Sequence, residues 1–318
     1  MRYFLGIDTS NYRTSAAVCD EEGNVLKNVR RLLPVKDGEL GLRQSDALFL
    51  HTKALPEIMS EIGEYQFSAV GFSAKPRDVE GSYMPCFLAG QSVASAVAYT
   101  MGAELYPFSH QAGHIKAAAY SCKETVLSDG KSFFDLTEGA EKGRFLTFHL
   151  SGGTTEALLY DKGQVTLLGK TLDLNAGQVI DRVGVMLGLP FPSGEELEKL
   201  SQGMPMTKGI KLSVKGFDCN MAGAENIAKK MLNDGRSRED IAAFALDFVI
   251  KTVDKMTENI IREYPNLPIL YAGGVAACGR MKAVFEKKYN CAFALPQYSG
   301  DNATGTALLA REMFLRKR

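Results

Sequence analysis

Two of the four histidines in this 318-residue chain stand four positions apart, in the stretch SHQAGH at residues 109–114. Residues 115–120, which follow, are good helix formers without a proline, so the sequence predicts a helix here. On a helix, a spacing of four places the imidazoles of His110 and His114 on one face, one turn apart. Neutral imidazole is a good ligand for Zn, Fe and Ni, so the pair predicts part of a divalent-metal site.

Two histidines do not complete such a site. A third ligand must come from a distant part of the chain, and an open position would remain for a water or a substrate. The alternative interpretation is that His110 caps the helix and that His114 is an ordinary surface histidine. The spacing alone leaves both interpretations open.

Length and composition indicate a soluble globular enzyme. A chain of 318 residues exceeds the usual size of a single core, so two lobes are expected. Lys+Arg and Asp+Glu balance at 37 each, so no overall field attracts nucleic acid or a membrane, although a local basic patch stays open. No apolar segment is long enough to span a membrane, and no signal-peptide cleavage site is recognised. The six cysteines lack Cys-x-x-Cys spacing, which predicts reduced thiols in a cytoplasmic protein.

The elements that must position the histidines follow from the hydrophobic pattern. The first part of the chain predicts the order β-β-β-α-β-α, with strands at 3–8, 14–19, 25–33 and 67–73 and helices at 46–62 and 89–101. The same order returns with strands at 145–150, 156–160 and 165–173, followed by helices, two further strands and a closing helix at 304–315. A repeated unit of this kind indicates an internal duplication.

Each copy opens with a strand that runs into a small polar turn, DTSN at residues 8–11 and SGGTT at 151–155. Glycines let the backbone approach a phosphate, and hydroxyl groups add hydrogen-bond donors. A further glycine pair, Gly273 and Gly274, follows an apolar strand and precedes a helix, which suits contact with a nucleotide's sugar or base. The sequence therefore predicts a polyphosphate held between facing turns. The second turn would bind it through Ser151, Gly152, Gly153, Thr154 and Thr155.

This arrangement resembles the actin-like ATPase superfamily, which includes the sugar kinases, and implies an α/β fold of two lobes with a nucleotide cleft between them. Within it, the chain resembles the TsaD/Gcp family, the bacterial tRNA threonylcarbamoyladenosine transferases, over nearly its whole length. The stretches that carry the resemblance are GIDTS at 6–10, HQAGH at 110–114, SGG at 151–153, AGQVID at 176–181, LGLPFPSG at 187–194, AGGV at 272–275 and DN at 301–302. The expected lobes are residues 1–108 with 302–318, and residues 109–301.

The resemblance also implies a metal site. His110, His114 and Asp301 match the family's metal ligands, so Asp301 is the expected third ligand of one divalent metal, Zn or Fe. The metal is expected to hold the phosphate or carbamoyl end of a threonylcarbamoyl adenylate and to act as a Lewis acid.

The expected nucleotide ligand is ATP or the adenylate, with its phosphate against the turn at 151–153. Further nucleotide contacts are expected from Asp181, Gly194, Gly273, Gly274 and Cys278. The alternative for Asp181 is a surface carboxylate paired with Arg182.

Several positions depart from the family's pattern. Tyr12 and Arg13 replace two carboxylates of the opening turn, and a guanidinium there favours an anionic ligand. Thr154 replaces a histidine and Glu225 replaces a lysine, while Cys278 replaces an asparagine that could bond the nucleotide. The chain is therefore interpreted as a divergent paralogue that keeps the metal and phosphate positions.

Three functions stay open at this point. The first is a metal- and nucleotide-binding transferase of threonylcarbamoyl groups to tRNA, acting with partner subunits of the threonylcarbamoyl machinery or as a homodimer. The second is a nucleotide-binding scaffold without that chemistry, or a transferase with another acceptor. The third, a metallopeptidase, comes from the family's old name and is disfavoured, since position 111 is Gln rather than the Glu of His-Glu-x-x-His. No membrane partner is expected.

Overall fold

Two five-stranded sheets of the same topology form the frame of the protein. The computed structural model describes residues 1–10, 13–34, 42–127, 129–133, 143–295, 298 and 303–317. The strands of the first sheet are β1 (Tyr3–Ser10), β2 (Arg13–Asp20), β3 (Val25–Leu32), β4 (Phe67–Lys75) and β5 (Glu104–Ser109). Their order is β3-β2-β1-β4-β5; β1, β2 and β3 are antiparallel neighbours, whereas β1, β4 and β5 run parallel.

The second sheet repeats this arrangement. Its strands are β6 (Arg144–Leu150), β7 (Thr155–Asp161), β8 (Gln164–Lys170), β11 (Ile269–Ala272) and β12 (Cys291–Phe293). Their order is β12-β11-β6-β7-β8, with β6, β7 and β8 antiparallel and β6, β11 and β12 parallel. A separate two-stranded hairpin consists of β9 (Ser213–Lys215) and β10 (Asp218–Asn220).

Nine helices are described around these sheets. In the first part of the chain they are α1 (Gln44–Ile62), α2 (Phe87–Met101) and α3 (His110–Ser121). The later ones are α4 (Ala176–Met186), α5 (Gly194–Leu200), α6 (Gly223–Asn233), α7 (Arg238–Glu263), α8 (Gly279–Phe285) and α9 (Thr304–Arg316). A short 3-10 helix, Gly274–Ala277, lies between β11 and α8.

The duplicated β-β-β-α-β-α unit predicted from the sequence is confirmed, with strand and helix ends shifted by a few residues. Two features were not predicted. Strand β5 contains Pro107, which weakens a strand pattern, and a proline of this kind is tolerated because β5 lies at the edge of its sheet. Strands β9 and β10 have three residues each, too few to show an alternating pattern.

Helices α3 and α9 lie between the two sheets, and each packs on the sheet of the other half. Buried side chains of α3, such as Ile115 and Ala118, join a cluster with Phe145 and Leu270 of the second sheet. Side chains of α9 instead join a cluster with residues of the first sheet, among them Phe4 and Ala69. Each helix therefore buries apolar side chains on the sheet of the other half, and the two helices connect the halves.

The two helices cross at glycines. A Cβ atom added to Gly305 of α9 would lie 1.8 Å from the carbonyl oxygen of Gly113 in α3. Gly113 stands between His110 and His114, so the absence of side chains at the crossing brings the first turn of α9 against the turn of α3 that carries both histidines.

The outer faces of the sheets are covered by the remaining long helices. Leu55 and Ile58 of α1 and Ala94 of α2 pack on the first sheet, and α7 packs on the second. In the described part of the chain, no helix combines the length and the apolar character needed to cross a membrane. All six cysteines are free thiols, and all but Cys278 are buried.

Candidate functional site

The start of helix α3 positions the histidine pair. The N-cap is Ser109, whose Oγ accepts a hydrogen bond of 3.1 Å from the backbone N of Ala112. The helix therefore begins at His110, and it is Ser109 rather than His110 that caps it. The two imidazole rings lie edge to face with their centroids 4.2 Å apart, as their spacing predicts.

Asp8, near the end of strand β1, holds the ring of His110 in place. Nδ1 of His110 lies 3.0 Å from Oδ1 of Asp8, and Ser10 donates to the other carboxylate oxygen at 2.7 Å. Burial alone would raise the pKa of Asp8, but the charge of His110 and hydrogen bonds from His110 and Ser10 lower it below its ordinary value. Asp8 is thus an acceptor, and Nδ1 of His110 donates.

A histidine whose Nδ1–H is bound by a carboxylate has the arrangement usual in metal-ligating histidines, because the bond fixes the tautomer and the ring orientation. The residues present therefore fit a divalent metal held on the His110 and His114 face. Asp8 belongs to the stretch predicted as a phosphate turn, and its bond to His110 was not predicted, since 102 positions separate the two residues and only folding joins them.

The histidine pair lines a cavity of about 490 Å³, here called the histidine cavity. His149 of β6 also lines it, so three of the four histidines of the chain face one space. Arg77 and Glu156 add a guanidinium and a carboxylate to the wall. This combination of imidazoles and charged groups suits a polar, anionic ligand.

Two residues predicted for this region, Asp301 and Tyr12, lie outside the described residues. Within the described ranges, no group of three His, Cys, Asp or Glu side chains is close enough to hold a metal ion. Asp301 as the third ligand therefore stays a prediction. Arg13 is described, and it begins β2.

The turn after β6 is closed by its own serine. Ser151 Oγ accepts from the backbone N of Gly153 at 3.3 Å and of Thr154 at 3.1 Å. On its other side, Gly177 of α4 packs on the turn, where an added Cβ would lie 2.6 Å from the backbone N of Gly152. An added Cβ at Gly152 itself would meet nothing within 4 Å, so the backbone at Gly152 is open to a ligand.

A second cavity, also of about 490 Å³, begins at this turn and is here called the nucleotide cavity. Of the residues predicted to bind a nucleotide, it brings together Ser151, Gly152, Asp181, Gly194, Gly274 and Cys278. They come from the β6 turn, helices α4 and α5, and the segment after β11. A volume of this size is in the usual range of small-ligand pockets.

The remaining predicted residues do not all reach this space. Thr154 lines the histidine cavity. Thr155 is buried, and its Oγ1 accepts from the backbone N of Ala176 at 2.7 Å, so it holds the start of α4. Gly273 has φ of 97°, and an added Cβ would lie 2.3 Å from the carbonyl oxygen of Leu150. Gly273 and Gly153 shape their turns without lining either cavity.

Asp181 faces the nucleotide cavity and does not pair with Arg182. Its Oδ1 accepts from the backbone N of Ser193 at 2.8 Å, which ties α4 to the start of α5. Arg182 instead pairs with Glu225 of α6 at 2.9 Å. Burial raises the pKa of the Cys278 thiol to about 11, so Cys278 lines the cavity as a neutral group.

The nucleotide cavity and the histidine cavity meet at Ser151, which lines both. A ligand with its nucleoside in the first and its phosphate at the turn would therefore direct any group beyond the phosphate toward the histidines.

The sequence of this chain is similar to that of a known enzyme family. Residues 136–308, more than half of the chain, match the family model described as TsaD, tRNA N6-adenosine threonylcarbamoyltransferase. The enzyme of that name from Carboxydothermus hydrogenoformans is 27% identical over 332 residues, covering 99% of this chain and 93% of the relative. The one from Methanopyrus kandleri is 26% identical over 310 residues, covering 94% of this chain and 84% of the relative.

Solved structures of low sequence identity are similar to this chain in fold. The ROK hexokinase of Thermus thermophilus superposes with a TM-score of 0.55 at 13% identity, over 99% of this chain and 100% of that one. This likeness confirms the actin-like ATPase fold of the sugar kinases that the sequence predicted. The sequence match is more specific than the structural one, and by it the chain belongs to the TsaD family of tRNA N6-adenosine threonylcarbamoyltransferases.

Proposed function

We propose that this protein transfers a threonylcarbamoyl group from an adenylate to tRNA adenosine, the reaction named for its relatives. The observation that carries the proposal is the shared wall of the two cavities at Ser151. A donor made of adenosine, a phosphate and an acyl group needs two adjoining spaces of different chemistry. The nucleotide cavity supplies the first, and the histidine cavity supplies the second.

The adenylate end of the donor would lie in the nucleotide cavity. Asp181 would accept hydrogen bonds from ribose hydroxyls through the carboxylate oxygen that does not bond Ser193. The backbone at Gly152 and the hydroxyl of Ser151 would contact the phosphate, as glycine-containing turns do in other nucleotide sites. Gly274 and Cys278 would lie against the nucleoside.

His110 and His114 would hold one divalent metal, Zn or Fe, with Asp301 as the third ligand. When bound, such a metal supplies Lewis-acid polarisation of a phosphate or carbamoyl oxygen. Asp8 would keep the His110 ring in the ligating orientation through its bond to Nδ1. The neighbouring imidazole of His149 would present a polar wall to the acyl group.

The acceptor would be tRNA, bound in the cytoplasm with partner subunits of the threonylcarbamoyl machinery. Relatives described as probable bifunctional tRNA threonylcarbamoyladenosine biosynthesis proteins carry further sequence, since this chain covers 55% of the one from Methanothermobacter thermautotrophicus. Because the net charge of the chain is zero, overall charge would not attract tRNA, and a local patch or a partner would have to do so.

The test is a transfer assay with unmodified tRNA transcript and purified threonylcarbamoyl adenylate, followed by nucleoside mass spectrometry. Modified adenosine is the expected product. Asp181→Ala in the nucleotide cavity and His114→Ala in the histidine cavity are each expected to lower the rate by about a hundredfold or more. The matched control is Asp234→Ala, which removes a carboxylate at the far end of α6, outside both cavities.

With the partner subunits added, and an active relative forming product beside it, absence of product from a protein that still binds AMP would overturn the transferase and leave a nucleotide-binding scaffold. Absence of AMP binding by calorimetry would remove the nucleotide cavity from the proposal altogether. Metal analysis of the purified protein and of His114→Ala tests the metal separately, and equal metal content in the two proteins would exclude His114 as a ligand.

A further inference from the structure

An ion pair joins the two halves of the protein at the wall of the histidine cavity. Arg77 follows β4 of the first sheet, and Glu156 lies in β7 of the second. Nη1 of Arg77 and Oε1 of Glu156 are 2.5 Å apart, and both residues line the cavity. No step of the proposed function uses either residue.

Glu156 is the fixed partner of the pair. Its side chain is 8% exposed, and its second oxygen accepts from Nε2 of Gln111 at 3.3 Å. Gln111 belongs to α3 and stands next to His110, so Glu156 is tied both to the first half and to the helix that carries the histidines. A buried carboxylate with both oxygens bonded holds one position, since losing either bond would leave it unsatisfied.

Arg77 is the open partner. Its side chain is 45% exposed, and Glu156 is its sole partner among the described residues. A guanidinium has five N–H donors in a planar fork, and Glu156 engages one end of that fork. The rest of the fork therefore remains available to a second anion, and the first bond has already reduced the freedom of the long side chain.

From this geometry we infer that Arg77 binds the carboxylate of the transferred group and selects donors that carry one. The inference rests on the proposed function, because the threonyl part of a threonylcarbamoyl group ends in a free carboxylate. With the phosphate at Ser151, the acyl group enters the histidine cavity, where Arg77 is the arginine on the wall. Arginine and carboxylate form two parallel hydrogen bonds that a neutral amide cannot match in charge. Glu156 is the positioning residue that aims the fork.

Calorimetry with two stable donor analogues tests this role. Both replace the phosphate of threonylcarbamoyl adenylate by a sulfamoyl group; one keeps the carboxylate, and the other has a carboxamide in its place. The protein is expected to bind the carboxylate analogue about tenfold to a hundredfold more tightly. Arg77→Gln is expected to abolish that preference while AMP and the carboxamide analogue bind as before. Arg77→Lys, which keeps the charge without the fork, is expected to restore part of it.

The matched control is Arg144→Gln, since Arg144 pairs with Asp161 at 3.4 Å at the other end of the same β6–β7 ladder. It is expected to leave the preference unchanged. Equal binding of both analogues by the unchanged protein would overturn the inference, as would an Arg77→Gln variant that keeps the preference. If Arg77→Gln lost affinity for both analogues equally, the ion pair would instead serve to hold the two halves together. If AMP also fails to bind the unchanged protein, the proposed function fails with it.

Discussion

The two halves of the molecule each contain a five-stranded sheet of the same topology, and they differ in what connects the third strand of the sheet to the fourth. In the first half, α1 is the one described element between β3 and β4. In the second half, α4, α5, the β9–β10 hairpin and α6 all precede α7 and β11. The nucleotide cavity takes much of its wall from this insertion, including Gly177 and Asp181 of α4 and Gly194 and Glu198 of α5. The duplication supplies the two sheets, and the insertion supplies much of the wall of the nucleotide cavity.

The ends of the first strands of the two sheets, β1 in one half and β6 in the other, also differ in their chemistry. Strand β1 carries Asp8 near its end, a buried carboxylate that binds His110, and a carboxylate repels a phosphate. The turn after β6 carries Ser151 and Gly152, with hydroxyl and backbone donors and no acid. The end of the first strand therefore supports a histidine in one half, and in the other half the turn after that strand is open at Gly152.

The largest effect is expected where the two halves are joined. In Gly305→Ala, the new methyl group would lie 1.8 Å from the carbonyl oxygen of Gly113, so α3 and α9 must separate. We expect a loss of about 3 kcal/mol or more in the free energy of unfolding, measured by urea titration. Gly223→Ala is the control, because an added Cβ there meets nothing within 4 Å. Similar stability of the two variants would contradict the crossing at glycines.

A second test compares the two halves where a helix packs on the end of the first strand or on the turn that follows it. Gly177→Ala would bring a methyl group 2.6 Å from the backbone N of Gly152, and Gly90→Ala would bring one 2.8 Å from Oγ1 of Thr9 in the first half. Each variant is expected to lose about 2 kcal/mol in the free energy of unfolding. Only Gly177→Ala is expected to weaken AMP binding, measured by calorimetry.

The comparison of these two variants decides whether the copies differ in function. Weaker AMP binding in Gly90→Ala as well would mean that the end of β1 also contacts the ligand. Unchanged binding in Gly177→Ala would mean that the ligand does not rest on the second turn.

The sequence predicted the parts of this architecture that local pattern determines. The apolar pattern and the turn chemistry identified the strands of both sheets except β5, and the spacing of His110 and His114 identified the shared face of α3. What it could not show are contacts between distant residues. Asp8 and His110 are 102 positions apart, and Arg77 and Glu156 are 79 apart. Each member of these pairs has an ordinary role as a surface or turn residue until folding joins it to its partner.

Glycines illustrate the same limit. Gly273 is predicted to contact a nucleotide because it follows a strand, and this contact stays a prediction; the structure shows that Gly273 makes room for the backbone of Leu150. Gly113 is part of the histidine motif, and no contact was predicted for it; α9 crosses α3 at this residue. From sequence, a glycine that faces a ligand and one that faces another backbone are identical, since both lack a side chain.

A smaller effect is expected at Asp181, in the insertion. Asp181→Ala removes both the bond to Ser193 and the acceptor for a ribose hydroxyl, and AMP affinity is expected to fall about tenfold or more. Asp181→Asn can still accept from Ser193 through its amide oxygen, so it is expected to lose less affinity and no stability. Calorimetry with AMP, together with thermal unfolding, separates the two losses. Equal affinity in all three proteins would exclude Asp181 from the ligand's contacts.

The smallest effect concerns Asp173, which joins the end of the duplicated β-β-β unit to the far end of the insertion. Its carboxylate accepts from the backbone N of Met221 at 2.6 Å and of Ala222 at 3.1 Å, just before α6 begins. Partial burial would raise the pKa of Asp173, but backbone hydrogen bonds from Met221, Leu174 and Ala222 lower it below its ordinary value. A lowered pKa means that the charged form of Asp173 is more stable in the folded protein than in the unfolded chain.

The stabilisation by Asp173 is therefore fully present above the ordinary aspartate pKa of about 3.9, and it is lost as the pH falls through the lower folded value. Asp173 is exposed, so water screens its charge, and Asp173→Asn is expected to reduce the free energy of unfolding by no more than about 1 kcal/mol near neutral pH, in the range of a lost helix cap. The difference should shrink below about pH 4, because protonation then removes the same charge from the unchanged protein. Urea titrations at several pH values measure it, with Asp234→Asn at the other end of α6 as the control. A difference that stays constant with pH would show that the lost bonds, and not the charge, hold the insertion to the sheet.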